Sequence, residues 1–521
     1  MPQQVLQAFI DVMTIQIVLY VSFGVFVGYV VGALPGLNRA TAIALLIPFT
    51  YKLPPLVAIS FLIGINKGGA TGSAITAILI NVPGEPSSVV TTLDGYPMTR
   101  QGKAQKALKI ALYGSVAGDF IATVALIVLT APLAKLAIGT GPVELTAVLI
   151  FAITFIAAVS GRSFFKGLIA GFLGLFLSAP RLDIETGQPR LTFGWQDVYD
   201  GIPLLAIAIG TLALSEMLVQ IDKGWRGTYG HKASYMDSGK PEDRRLSWAE
   251  FVKCIPTILR SSFVGIGVGI LPGLGGSLSS FLAYSWTKRA DKDPDRFGKG
   301  AIEGVAAAET ADNAAVPASL VPMFAIGLPG SVSTALLMGA FMMHGLTPGP
   351  FLFRDDAVLV YSIFTGMLLA SAILLMIGIV GQRFFSRLIM VSDAILLPII
   401  IFLCVAGAYL EGSGMFGVYL MLIFAFLGYF MKKYDFSFVT FLIGFILGPM
   451  AELSLRQALI ITDAKPSSLV DHPVAVVFLL LAVISVWRLS SFQLTQTRIE
   501  APAQTKKPTE SASGTSKADS T

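Results

Sequence analysis

Long apolar runs separated by short polar segments make up most of this chain. A helix needs about 17 to 25 apolar residues to cross the hydrocarbon core of a bilayer. Runs of that length lie near residues 15–33, 106–132, 143–160, 163–180, 201–220, 253–271, 358–380, 393–410, 412–431 and 473–488. Shorter runs lie near 38–50, 54–66, 71–82, 276–286, 316–328 and 435–449. The pattern predicts an all-α polytopic membrane protein with about 12 crossings and several re-entrant or broken helices.

The composition agrees with this prediction. Of the 521 residues, 54% are hydrophobic and 13% are charged, and the mean hydropathy is +0.74. A soluble globular domain carries about 25% charged residues, so this class is excluded. The isolated cysteines, Cys254 and Cys404, and the scattered histidines predict no metal site and no cofactor. The N-terminus lacks the features of a cleavable signal peptide.

A Leu-Pro-Gly-Leu motif occurs twice and interrupts the apolar pattern. Gly-Ala-Leu-Pro-Gly-Leu at 32–37 recurs as Gly-Ile-Leu-Pro-Gly-Leu at 269–274. Each copy is followed by a second break, Val-Pro-Gly-Glu-Pro-Ser-Ser at 82–88 and Leu-Pro-Gly-Ser-Val-Ser-Thr at 328–334. Helix-breaking Pro-Gly pairs at matching places in two hydrophobic halves are typical of secondary transporters with inverted-topology repeats. Proline kinks in an ordinary membrane bundle are the alternative.

The distribution of lysine and arginine predicts the orientation of the chain. Basic residues gather at 100–109 and 223–253, so these loops are predicted to be cytoplasmic. The loop after the first Leu-Pro-Gly-Leu motif is nearly uncharged and the loop after the second is basic, and this bias reverses after the second breaks. We therefore expect equivalent loops on opposite sides of the membrane, with a periplasmic N-terminus and a cytoplasmic C-terminus.

These features divide the chain into membrane and non-membrane parts. We expect membrane repeat one at 1–220, a cytoplasmic linker at 221–252, membrane repeat two at 253–460, a C-terminal transmembrane helix at 461–490 and a disordered cytoplasmic tail at 491–521. The tail is rich in Ser, Thr, Pro, Lys and Ala, a composition that cannot bury enough apolar surface to fold.

The breaks also predict where ligands bind. An interrupted helix exposes N–H groups at one end, which attract a small anion, and carbonyl groups at the other, which attract a cation. The predicted substrate-binding residues are Pro83, Gly84, Ser87, Ser88, Thr91, Pro329, Gly330, Ser331, Ser333, Thr334 and Lys67. The predicted ion-coupling residues are Gly36, Asn38, Asn81, Gly273, Gly275, Asp312 and Asn313. For any single hydroxyl group, a hydrogen bond back to its own helix is the alternative.

Ionisable residues within apolar segments add to this prediction. Lys67 lies in Gly-Ile-Asn-Lys-Gly-Gly, where a central charge costs about 2.5 to 3.5 kcal/mol and needs an anion nearby, either a substrate carboxylate or a salt-bridge partner. Glu309 and Asp312 lie on one helical face and are suited to coordinate sodium or to take a proton. Asp119 and Glu216 are expected to bond to neighbouring helices instead.

Several of these stretches resemble one known family. Ala-Ile-Leu-Ile-Asn-Val-Pro-Gly-Glu-Pro-Ser-Ser at 77–88, Leu-Asp-Gly-Tyr-Pro-Met at 93–98 and Glu-Gly-Val-Ala-Ala-Ala-Glu at 303–309 are similar to the large membrane subunit of the tripartite tricarboxylate transporters, the TctA family. The resemblance covers the chain up to about residue 490. Lys67 and Asp312 depart from the family pattern, in which we expect a tyrosine or small residue and an asparagine.

This resemblance implies a bacterial inner-membrane permease that imports a small carboxylate, either a tricarboxylate or a dicarboxylate. It implies a periplasmic substrate-binding protein and a small membrane subunit of four helices as partners, and sodium as the expected coupling ion. An ion channel or an intramembrane hydrolase is the alternative, but the sequence contains no Gly-x-Ser-x-Gly, His-Glu-x-x-His or Walker motif. The sequence leaves open which carboxylate is moved, whether protons replace sodium, and whether the motion is an elevator or a rocking bundle.

Overall fold

The computed structural model describes residues 2–34, 37–159, 163–183, 185–222, 240–388, 393–410 and 414–500. This part of the chain is almost entirely helical, as the apolar pattern predicts. The exception is a hairpin of two antiparallel two-residue strands, β1 (Arg181–Leu182) and β2 (Pro189–Arg190). Gly36, the middle of the predicted linker and the predicted tail from residue 501 onward lie outside the described residues.

The first half of the structure comprises residues 2–222. Its helices are α1 (Pro2–Val12), α2 (Ile15–Gly32), α3 (Arg39–Leu46), α4 (Pro55–Ile80), α5 (Val89–Arg100), α6 (Ala104–Ile138), α7 (Pro142–Val159), α8 (Phe164–Leu177), α9 (Leu204–Ala208) and α10 (Ser215–Asp222). A π-helical segment, Ile209–Leu214, joins α9 to α10. Short 3-10 helices follow α3 at Ile47–Thr50 and precede α5 at Pro86–Ser88.

The second half comprises residues 240–461, and one further helix follows it. Its helices are α11 (Pro241–Arg244), α12 (Trp248–Gly269), α13 (Gly275–Ala290), α14 (Ile302–Ala318), α15 (Leu320–Ile326), α16 (Val332–Met343), α17 (Pro350–Asp355), α18 (Ala357–Leu388), α19 (Asp393–Leu410), α20 (Gly414–Lys433) and α21 (Phe438–Ile461). The further helix, α22 (Pro473–Glu500), continues past residue 490, where the sequence predicts the disordered tail to begin.

The helices have the lengths that a membrane protein requires. Within the described residues, 7 helices are long and apolar enough to cross a membrane, among them α2, α6, α12, α18, α20 and α21. Shorter apolar helices, including α7, α8 and α16, lie among them. The chain is therefore a multi-pass helical membrane protein, and the total of about 12 crossings stays a prediction.

Helix α4 is one continuous helix, although the sequence suggests two shorter runs at 54–66 and 71–82. Glycines on α4 pack directly against α2, and a Cβ atom on Gly68 would overlap the carbonyl oxygen of Val25. Such contacts between small residues let two helix backbones approach closely. The polar residues Asn66 and Lys67 therefore sit inside a buried helix and do not mark a break in it.

The second breaks of the two halves have the same local structure. Asn81 ends α4 in the left-handed conformation with φ 58°, and Gly327 ends α15 in the same way with φ 74°. Such a residue commonly terminates a helix. Four residues after each, at Glu85 and Ser331, a capping box begins the next helical segment. Asn81, predicted to couple ions, is thus a helix terminator in this structure.

Helices of each half pack against the other half. Helix α6 contacts α14, and α18 contacts α4. In the same manner, α8 contacts α21, and the π-helical segment contacts α20. Glycines permit these crossings, since a Cβ atom on Gly118 would overlap the carbonyl oxygen of Thr310 and one on Gly174 that of Phe441. The two halves form one interlocked bundle around α4 and α14.

Candidate functional site

A buried group of polar side chains lies where the second break of the first half meets α14. We call this group the polar centre, and its members are Arg39, Thr71, Glu85, Ser87, Thr91, Ser115, Glu309, Asp312 and Asn313. They come from α3, α4, α5, α6, α14 and the break itself. The polar centre therefore joins the two halves and contains the acidic pair that the sequence predicts on one helical face.

Asp312 of α14 binds the break of the first half directly. The Ser87 hydroxyl donates to its Oδ2 atom at 2.9 Å. A Cβ atom on Gly276, near the start of α13, would overlap its Oδ1 atom, so only glycine fits there. Among the described residues, Asp312 Oδ1 has no hydrogen-bond partner although its side chain is only 2% exposed. A buried acceptor without a partner is rare, so Asp312 Oδ1 is a candidate ligand contact.

Glu309 is held by hydroxyl groups and not by a cation. The Thr91 hydroxyl donates to its Oε1 atom at 2.5 Å, and the Ser115 hydroxyl donates to Oε2 at 3.2 Å. Asn313 orients Ser115 by donating to its Oγ atom at 2.8 Å, and Thr71 donates to Asn313 Oδ1 at 2.8 Å. Because no described basic side chain forms a salt bridge with Glu309, this buried carboxylate is suited to bind a cation or a proton.

Arg39 is the cation nearest to the acidic residues of the polar centre. Its backbone N–H donates to Glu85 Oε1 at 2.9 Å, and its Nε atom lies 3.2 Å from Glu85 Oε2. Its Nη2 atom lies 3.7 Å from Asp312 Oδ1. The sequence analysis does not identify Arg39 as a site residue, because a single arginine next to a helix break resembles an ordinary loop residue. Arg39 nevertheless lies only two residues after the first Leu-Pro-Gly-Leu motif. Thr71, Glu85 and Ser115 are likewise not identified as site residues from the sequence.

Lys67 does not join the polar centre. Its Nζ atom lies 2.9 Å from Asp119 Oδ2, 2.7 Å from the Met367 carbonyl oxygen, 3.0 Å from Ser371 Oγ and 3.1 Å from Thr123 Oγ1. An ammonium group has three hydrogens to donate, so these partners use all of them. The geometry favours the salt bridge over a substrate carboxylate at Lys67. Asp119 is thereby the interhelical partner that the sequence predicts.

Glu216 is also an interhelical partner, as predicted. Its Oε2 atom accepts a hydrogen bond from Lys432 Nζ at 2.8 Å, which links α10 to α20. Both side chains are partly exposed, so this pair is weaker than the buried pair of Lys67 with Asp119.

The second break of the second half has its own hydrogen bonds. Ser331 and Thr334 bond to each other in the capping box, and Ser331 Oγ lies 3.5 Å from Ser319 Oγ. The Gly273 N–H donates to the Gly330 carbonyl oxygen at 2.9 Å, so the two breaks of this half meet. Among the described residues, no hydrogen bond joins Pro329, Ser331, Ser333 or Thr334 to the polar centre.

The remaining predicted ion-coupling residues shape the backbone. The Asn38 side chain accepts from the Thr41 N–H at 2.9 Å and caps α3. Gly273 and Gly275 have φ angles of 82° and 61°, which glycine adopts without strain. Of the predicted ion-coupling set, the structure thus brings Asp312 and Asn313 into the polar centre.

Asp94, from the Asp-Gly-Tyr-Pro run, fastens the two halves together beyond the polar centre. Its Oδ1 atom accepts from the N–H groups of Gly298, Gly300 and Ala301, each at 2.8 Å. The Tyr284 hydroxyl donates to its Oδ2 atom at 2.8 Å. A fully buried carboxylate that receives four donors is well stabilised, so this motif has a structural function here.

The chain is similar to a transporter family and to two proteins of Agrobacterium vitis. The family described as "Tripartite tricarboxylate transporter TctA family" matches residues 18–443. The "Uncharacterized 52.8 kDa protein in TAR-I ttuC' 3'region" is 34% identical over 452 residues, 87% of this chain and 89% of that protein. The "Uncharacterized protein in TAR-II ttuC' 3'region" is 34% identical over 219 residues, 42% of this chain and 90% of that protein. No solved structure matches the chain significantly.

The family match includes both Leu-Pro-Gly-Leu motifs, both second breaks and every residue of the polar centre. It also extends over most of the transmembrane helices described above. The chain therefore belongs to the tripartite tricarboxylate transporter TctA family.

Proposed function

We propose that this chain is the permease subunit that imports a small tricarboxylate or dicarboxylate across the bacterial inner membrane. In this proposal a periplasmic binding protein delivers the carboxylate, a small membrane subunit of four helices accompanies the permease, and a sodium gradient drives uptake. The observation that carries it is the polar centre, where a partly exposed arginine and three buried acidic residues meet a helix break. A carboxylate and a cation can bind side by side in such a place.

The proposed substrate site comprises the break at residues 83–88 with Thr91, completed from the other half by the break at residues 329–334. The proposed ion site comprises Asp312, Asn313 and Glu309. Hydroxyl, amide and carboxylate oxygens are the ligands that hard cations bind, and these side chains supply all three types. Asp312 lies between the two sites through its contacts with Ser87 and Arg39.

We further propose that the two halves are inverted-topology repeats. The support is the matched order of helices and breaks, the identical spacing of terminator and capping box at both second breaks, and the reciprocal packing of α6 on α14 and α18 on α4. Together with the distribution of Lys and Arg, the inversion supports a periplasmic N-terminus and a cytoplasmic C-terminus.

Topology reporters test the inversion. A reporter fused after Arg100 is expected to read cytoplasmic, and one fused after Phe351 is expected to read periplasmic, because the two positions follow equivalent helices of opposite orientation. Paired alkaline phosphatase and green fluorescent protein fusions at each position provide the measurement and its control. The inversion is wrong if both positions report the same side.

Reconstitution tests the transport function. The permease is placed in liposomes with its small membrane subunit, its binding protein is added outside, and uptake of radiolabelled citrate and succinate is measured with and without an inward sodium gradient. We expect accumulation above the outside concentration only when the gradient and the binding protein are both present. Equilibration without accumulation, with or without sodium, would indicate a channel. A proton gradient in place of sodium would identify the proton as the coupling ion.

A further inference from the structure

The terminal nitrogens of the Arg39 guanidinium form no hydrogen bond with the described residues of the polar centre. Glu85 contacts the residue through the backbone N–H and the Nε atom. The outer edge carries the two terminal nitrogens, where Nη1 has no hydrogen-bond partner among the described residues and Nη2 approaches only Asp312 Oδ1, at 3.7 Å. These two nitrogens are the edge that binds a carboxylate in a bidentate manner.

Asp312 stands opposite this edge with an unused oxygen atom. Its Oδ1 atom also lacks a hydrogen-bond partner, and 3.7 Å is beyond hydrogen-bond length. The Arg39 guanidinium and the Asp312 carboxylate therefore attract each other but form no hydrogen bond. An Arg–carboxylate pair at full strength has N–O distances of about 2.7 to 2.9 Å. The long distance in this pair leaves the guanidinium able to bind a second carboxylate.

Two cations are embedded near the acidic residues of α6 and α14, and only Arg39 has donors to spare. The Lys67 ammonium donates its hydrogens to Asp119 and to neighbouring oxygen atoms. Arg39 is held on one side only, and its side chain is 14% exposed, so it is less enclosed than Lys67 at 1%. Of these two cations, Arg39 is therefore the one with free donors for a small anion in the polar centre.

We propose that Arg39 binds a carboxylate group of the transported substrate through Nη1 and Nη2, and that Asp312 faces this edge when substrate is absent. The proposal rests on the proposed function and assigns the residue that recognises the substrate. Glu85 is a positioning residue that fixes the direction of the guanidinium. The substrate class is a small molecule with at least one ionised carboxylate.

Replacement of Asp312 by a substrate carboxylate at the Arg39 guanidinium connects substrate binding with cation binding. When a substrate carboxylate takes the guanidinium edge, Asp312 loses its nearest positive charge and gains affinity for a cation. Linkage requires the converse, so a cation on Asp312 releases Arg39 and strengthens substrate binding. Substrate and cation then bind together more tightly than either binds alone, as a symporter requires.

Variants of both residues test this inference in equilibrium binding. Binding of radiolabelled citrate and succinate to the purified complex with the small membrane subunit is measured with and without sodium, for wild type, Arg39→Lys, Arg39→Gln and Asp312→Asn. We expect Arg39→Gln to weaken binding at least about thirtyfold. We expect Arg39→Lys to weaken it by about tenfold, because lysine keeps the charge and loses the bidentate geometry. Lys432→Gln, which breaks the distant pair with Glu216, should bind as wild type does.

Asp312→Asn is expected to change affinity in the opposite direction. Removal of the competing charge should tighten binding without sodium by at least about threefold and should abolish the effect of sodium on affinity. A gain of affinity cannot result from misfolding, so this variant remains informative even if Arg39→Gln folds poorly. Weaker binding by Asp312→Asn, or unchanged binding by Arg39→Lys and Arg39→Gln, would overturn the inference. Absence of any binding and uptake by wild type would instead refute the proposed function.

Discussion

Replacing Lys67 with methionine is expected to destabilise the folded protein by about 3 to 5 kcal/mol. The substitution keeps the length of the side chain and leaves the Asp119 carboxylate, which is 1% exposed, without its cation. Removal of one member of a buried ion pair is costly because the other charge remains in a medium of low dielectric. The thermal midpoint of the detergent-purified protein and the amount inserted in membranes provide the measurements.

A second variant separates the structural role of Lys67 from a role in substrate binding. Lys67→Met combined with Asp119→Asn removes both charges and should recover much of the lost stability, since neither group is then an unpaired ion. Lys432→Met is the matched control, because it breaks a partly exposed pair that is worth at most about 1 kcal/mol. If Lys67→Met folds normally and changes the preference among carboxylates, Lys67 binds substrate after all.

Substitution of valine for Gly84 or Gly330 is expected to abolish uptake. A Cβ atom on Gly84 would lie 2.8 Å from the Gly32 carbonyl oxygen, and one on Gly330 would lie 2.5 Å from that of Ser319. Both distances are shorter than any Cβ contact tolerates, so each break would move away from the helix that supports it. The sequence suggests that these glycines admit a ligand, whereas the structure places protein backbone in that space.

The two glycine variants have a control in α12. A Cβ atom on Gly267 would meet nothing within 4 Å, so Gly267→Val adds the same side chain at a position with free space. We expect Gly267→Val to transport carboxylate normally, and we expect all three variants to insert in the membrane. The measurement is carboxylate uptake in the native host. The chromosomal gene is deleted, and each variant is expressed from a plasmid. Normal uptake by both Gly84→Val and Gly330→Val would remove the two breaks from the transport mechanism.

Local patterns in the sequence predict the breaks well. Each second break has a Pro-Gly pair, and Asn81 and Gly327 end α4 and α15 just before Pro83 and Pro329. The acidic pair on α14 was also predicted, because a spacing of three residues places Glu309 and Asp312 on one face of a helix.

Contacts between distant parts of the chain were less predictable. Lys67 pairs with Asp119 on α6, and Arg39 pairs with Glu85 and Asp312. These partners are far apart in the sequence, and the periodic pattern of apolar residues does not predict such pairs. The order of apolar runs likewise does not show that α6 packs on α14 of the other half. The sequence therefore predicts that charged residues need partners, and the fold decides which partners they have.

Direct observation of a bound carboxylate provides the strongest test of the proposed site. The measurement is a structure of the permease with its small membrane subunit, determined with saturating substrate and again without it. We expect added density within hydrogen-bond distance of the two terminal nitrogens of Arg39, beside the Ser87 hydroxyl, and a longer separation between Arg39 and Asp312 than 3.7 Å. Substrate density beside Lys67, or anywhere outside the polar centre and the break at residues 329–334, would contradict the proposed site.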